Sequence, residues 1–187
     1  MVIIMKDILK STMYLFLRVV LVSILAAMAL AACEFAPTVL TPIFALFYFI
    51  MLIYFFVFTM WSVGGKDRIK VDRGVMKKNM AKGFVSSGIL AVFLLFIYFA
   101  SFLFGQFMDE LVLRVWGFIK LFFTMFPMYM TIWLTSLEVS ADIQTLVAAI
   151  VYVVTLISCV VGAGIGYIVG FKRIPIIQPW LDKWKRN

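Results

Sequence analysis

Three carboxylates, Glu34, Glu138 and Asp142, fall in gaps between long apolar runs, where together they could draw a cationic solute into a shallow vestibule. The alternative for them is ordinary solvated loop charge, which contributes little. Two cations, Arg18 and Lys120, stand inside apolar runs instead. A charge so placed is buried toward a bundle interior or a water cavity, or else it snorkels to the head-group level. If Lys120 is interior, Glu34, Glu138 or Asp142 are natural partners for it. The chain has no histidine, which removes the commonest metal ligand and proton shuttle. It carries no HExxH, GxSxG or P-loop pattern, and no paired acids within its apolar runs. Ser86, Ser87 and Ser136 show no adjacent His or Lys base. We therefore expect no enzyme activity, no metal and no cofactor.

The elements that must position these residues are helices of membrane length. A composition that is 65% hydrophobic and 14% charged excludes an ordinary soluble domain. A hydrocarbon layer about 30 Å thick takes roughly 20 apolar residues as helix. Residues of about 13–33, 43–63, 84–104 and 146–170 meet that requirement. Pro37 and Pro42 before the second run, Gly64 and Gly65 after it, Gly83 before the third and Gly105 after it serve as end signals. The expected fold is all-α and integral to a membrane, with one domain over 1–187.

The segment 111–135 is ambiguous. It is long enough to cross, yet it contains Arg114, Lys120, Gly117 and Pro127. Charge decides in favour of a re-entrant or interfacial hairpin bent near Pro127. The loop 66–82 holds seven bases against two acids, and the tail after Gly170 holds five against one. Short basic loops stay on the cytoplasmic side. Four crossings put both basic clusters and both termini inside, and leave Glu34, Asp109, Glu110, Glu138 and Asp142 outside with Arg114 and Lys120. Five spans, the alternative, would separate the two clusters. Residues 179–187 read as an interfacial helix, with Trp180, Leu181 and Trp184 on one face among basic residues.

Gly162, Gly166 and Gly170 recur every four residues and form a smooth stripe that admits a close helix neighbour. That neighbour is a second copy or another membrane protein, or else the chain's own first or third span. Of the two cysteines, Cys159 sits in an apolar run as a packing residue. Leu30-Ala31-Ala32-Cys33 fits a lipoprotein processing box, or ends a helix face of small residues incidentally. The net charge of +8 lies beside apolar spans, which directs it to anionic membrane lipids rather than nucleic acid.

The stretch from Trp61 through Gly64-Gly65-Lys66-Asp67-Arg68 to Val71, followed by Lys82-Gly83, resembles a loop of small uncharacterised polytopic membrane proteins of Gram-positive bacteria. Gly166-Tyr167-Ile168-Val169-Gly170-Phe171-Lys172 is similar to their ends. The resemblance implies residence in a bacterial cytoplasmic membrane and carries no activity. The functional expectation is a non-enzymatic accessory or assembly subunit that packs against another membrane protein such as a transporter. The alternative is a small-solute transport or substrate-binding component.

Overall fold

The computed structural model describes residues 2–33, 35–104 and 125–172. Helix α1 covers Val2–Cys33, α2 Pro37–Asp72, α3 Lys82–Phe104, α4 Met125–Ser136 and α5 Ala141–Phe171; the described residues contain no strand. Four of these helices (α1, α2, α3 and α5) are long and apolar enough to cross a membrane. Helix α4, as described from Met125, has 12 residues, about 18 Å at 1.5 Å per residue.

Each long helix buries one stripe. On α2 the buried positions Thr41, Ala45, Tyr48, Leu52, Phe56, Met60, Gly64 and Asp67 step by three or four residues, as a single helix face requires. On α1 the stripe is Leu15, Val19, Val22 and Ala26, and Cys33 is buried at its end. The Cys33 thiol donates to the Ala29 carbonyl at 3.7 Å. Cys159 is also buried, on α5. The opposite faces are apolar too: Val92, Phe96, Leu46 and Ile157 are all exposed.

The N-terminal part of α1, the C-terminal part of α2, the start of α3 and the C-terminal part of α5 meet at one end of the bundle. Lys70 reaches Asp7, Lys82 reaches Asp67, and Tyr167 reaches Asp67 across these elements. The basic loop and Lys172 therefore share one end. The tail beyond it, including the interfacial helix expected over 179–187, lies outside the described residues.

Several boundaries differ from the sequence expectation. Gly64 and Gly65 do not end α2, which continues to Asp72. At Gly64 the role is proximity, whereas a Cβ on Gly65 would meet only the Gly170 carbonyl oxygen at an ordinary 3.8 Å. A Cβ on Gly64 would collide with the Tyr167 carbonyl oxygen and lie 2.9 Å from the Phe171 nitrogen on α5. Gly83 is likewise inside α3, where a Cβ would come within 2.6 Å of the Tyr167 Cβ. Pro37 does open α2, a position whose missing N–H costs nothing, but Pro42 lies within the helix.

The true stop of α2 is Gly74. It adopts a left-handed φ of 73°, and the Gly74 and Val75 amides donate to the Val71 and Lys70 carbonyls at 2.9 and 3.0 Å. That paired 5→2 and 6→1 closure is a Schellman motif, which favours glycine at the left-handed position. Helix α4 ends in the same way, with a non-glycine residue. Glu138 has φ 57°, and the Glu138 and Val139 amides donate to the Thr135 and Leu134 carbonyls at 3.0 and 3.1 Å. Gln144 braces the turn by donating from Nε2 to the Val139 carbonyl at 2.6 Å. Glu138→Gly should raise the thermal unfolding midpoint in detergent, because it relieves a left-handed L-residue. Gly74→Ala should lower it, by about 1 kcal/mol of stability.

The 111–135 segment is described only from Met125. Pro127 lies in the first turn of the helix that starts there, and the other arm of the expected hairpin falls outside the described residues. Helix α4 packs on α1, α2 and α5. Tyr129 is fully buried and donates to the Ala26 carbonyl of α1 at 2.5 Å. Arg114, Lys120 and residues 105–124 generally lie outside the described residues.

Candidate functional site

The glycine stripe is occupied within the chain. A Cβ on Gly166 would collide with the Val57 carbonyl oxygen and stand 2.9 Å from its Cα, and one on Gly170 would do the same at Trp61. Gly162 meets the Val57 side chain at 3.2 Å. The neighbour is α2, neither the first nor the third span, and α2 with α5 forms the most extensive interface among the described helices. Ala163 and Gly164 turn to the other flank of α5, against Gly83 and the Phe84 ring of α3.

Close approach of α2, α3 and α5 brings a buried ion pair together at the basic end. Lys82 Nζ lies 2.6 Å from Asp67 Oδ2, and their side chains are only 5% and 3% exposed. Tyr167 donates its hydroxyl to the same oxygen at 3.1 Å. The half-exposed Lys70 sits 3.7 Å from the other Asp67 oxygen and 3.6 Å from Asp7 on α1. Two buried charges are tolerable here because each has an opposite charge and Asp67 also gains a hydrogen bond.

Beside this pair a cleft of about 400 Å³ opens between α1 and α2. On α1 its wall is Asp7, Lys10, Ser11, Tyr14 and Arg18, residues that share one helical face. On α2 it is Thr59, Ser62, Lys66 and Lys70 with Phe58, again one face. Among the described residues, Asp7 and Asp67 are engaged by lysines, whereas no carboxylate lies within ion-pair distance of Lys10, Arg18 or Lys66. Ser11 donates its hydroxyl to the Asp7 carbonyl at 2.9 Å. The Thr59 hydroxyl oxygen is shielded from solvent and has no hydrogen-bond partner among the described residues. Arg18 is not buried in the bundle. Its side chain is exposed on the cleft wall, with the guanidinium 5.4 Å from the Phe55 ring centre. On the far flank of α1, Lys10 also borders an apolar groove lined by Met13, Phe16 and Phe93.

The acidic residues singled out from sequence are not brought to this place. Glu138 and Asp142 are exposed, on the α4–α5 turn and in the first turn of α5, and Glu34 lies outside the described residues. Asp142 there complements the positive end of the α5 dipole. Sequence reasoning missed the cleft because it counted bases by loop. The signal was their spacing: Asp7, Lys10, Tyr14 and Arg18 step by three and four residues. Among the described residues no group of three or more His, Cys, Asp or Glu side chains could hold a metal ion. No protein-family model matches the chain, and no curated protein or solved structure is detectably similar to it.

Proposed function

We propose that the protein is a non-enzymatic subunit of a bacterial cytoplasmic membrane, with both termini cytoplasmic, acting as an accessory or assembly partner of another membrane protein such as a transporter. Membrane residence is supported by the outward faces of the long helices, which expose large apolar side chains such as Val92 at 68% and Phe96 at 63%. Soluble proteins do not present apolar surface on that scale. The accessory reading rests on one observation: the polar groups at mid-depth are consumed inside the chain. Ser23 and Tyr48 bond each other at 3.4 Å, and Tyr129 and Thr155 bond backbone carbonyls. A transport route needs polar groups facing a water-reachable path, and these are turned to one another or to the backbone instead.

The test is affinity purification of the tagged, full-length chain in mild detergent from cells that express it. One membrane protein should co-purify in fixed proportion. A variant with Glu34, Glu138 and Asp142 changed to their amides should retain that partner and complement a deletion strain. Failure of the amide variant to complement, at normal abundance and with solute uptake lost, would favour the solute-binding reading instead.

A further inference from the structure

We propose that the cleft between α1 and α2 binds a phosphate-bearing anion, carried either on a phospholipid head group or on a small soluble molecule. Three cations, Lys10, Arg18 and Lys66, border one concave space, and none has a carboxylate within ion-pair distance among the described residues. The acids nearby are already matched: Asp67 holds Lys82 at 2.6 Å, and Asp7 holds Lys70 at 3.6 Å. The cleft thus carries a surplus of three positive charges, and low-dielectric walls focus that field inward. A topology signal alone would need these bases only in a loop. Arg18 is eleven residues beyond Asp7 in α1, about 16 Å along the helix, and faces the α2 wall rather than solvent loop.

Phosphate matches the donors better than a carboxylate does. A guanidinium presents a planar fork to two phosphate oxygens while ammonium groups act as point charges on the others. Thr59, whose shielded hydroxyl has no partner among the described residues, lines the same wall and can turn that hydroxyl toward a ligand as a neutral donor. The space of about 400 Å³ falls in the range of small-ligand sites.

The site can be tested on the full-length chain purified in neutral detergent. Short-chain phosphatidylglycerol, matched phosphatidylcholine and inorganic pyrophosphate are titrated separately, reading equilibrium binding and the thermal midpoint. Saturable binding of the phosphatidylglycerol alone identifies a lipid site, and binding of pyrophosphate identifies a soluble ligand; phosphatidylcholine should not bind. The variant Lys10→Gln/Arg18→Gln/Lys66→Gln should weaken binding on the order of 100-fold, at roughly fivefold per base. Arg73→Gln/Lys77→Gln/Lys78→Gln removes the same charge from the exposed loop and should change it little. Equal weakening by both triple variants, or no saturable binding of either anionic probe, overturns the proposal. Should the cleft triple fail to fold, Thr59→Val and Lys66→Gln decide. Thr59→Val removes an unpartnered hydroxyl, so it should hold or raise the thermal midpoint of the free protein while lowering affinity. Parent-like affinity in both single variants overturns the site.

Discussion

Asp67→Asn should cost the protein on the order of 3–5 kcal/mol, the largest loss expected from any single isosteric change described above. The substitution leaves the Lys82 ammonium buried without its counter-charge, since Asp67 is the only carboxylate recorded within ion-pair distance of it among the described residues. Lys82→Met should cost less. It strands Asp67, but Lys70 at 3.7 Å and the Tyr167 hydroxyl at 3.1 Å still face that carboxylate. Combining Asp67→Asn with Lys82→Met should recover most of the loss, because a buried pair replaced as a pair is close to neutral. Unfolding by graded SDS in mixed micelles, read by tryptophan fluorescence, measures all three. The effects should persist at high salt, since a pair this buried is screened little. Additive losses in the double variant would show that the two residues act separately and would refute the pairing.

The second large effect lies along α5. Gly166→Ala and Gly170→Ala should each cost about 1–3 kcal/mol, because the added methyl meets backbone, which cannot rotate aside. At Gly166 the obstruction is the Val57 main chain, and at Gly170 that of Trp61. Gly162→Ala should cost less, as its neighbour at 3.2 Å is a side-chain methyl. Gly88→Ala is the internal control. Nothing lies within 4 Å of its Cβ position, so helix propensity alone should stabilise it by about 0.5–1 kcal/mol. A thermal aggregation series in detergent ranks these variants. Gly166→Ala matching Gly88→Ala would mean that α2 and α5 do not pack as described.

The sequence showed the long helices and concealed their partners, for a physical reason. Apolar length is a property of one run, so the four spans near 13–33, 43–63, 84–104 and 146–170 fall inside α1, α2, α3 and α5. Contact is a property of two runs. The stripe at Gly162, Gly166 and Gly170 declared a smooth face but not that α2 would fill it. Glycine itself is read two ways: Gly64 permits contact inside a helix, whereas Gly74 ends one through its φ of 73°. Both look like punctuation until the neighbour is known. The cleft posed the same difficulty. Lys66 and Lys70 belong to a charge cluster when counted along the chain and to a helix face when counted by turns. Arg18 stood out as a lone charge because its companions on α2 are some fifty residues away.

The three-way tie at Asp67 also sets an order of events during translation. Lys82 follows Asp67 by 15 residues, whereas Tyr167 follows by 100. At an elongation rate of about 5–20 residues per second, the lysine is synthesised roughly 1–3 seconds and the tyrosine roughly 5–20 seconds after the aspartate. Until α5 is made, only the contact between α2 and α3 can form at Asp67, and the flank that α5 will cover, with Gly64 and Val57, has no partner in α5. Ribosome-bound intermediates stalled after α3 should therefore be the species on which chaperones and quality-control proteases act. Arrival of α5 closes both the hydroxyl contact and the glycine seam in a single step.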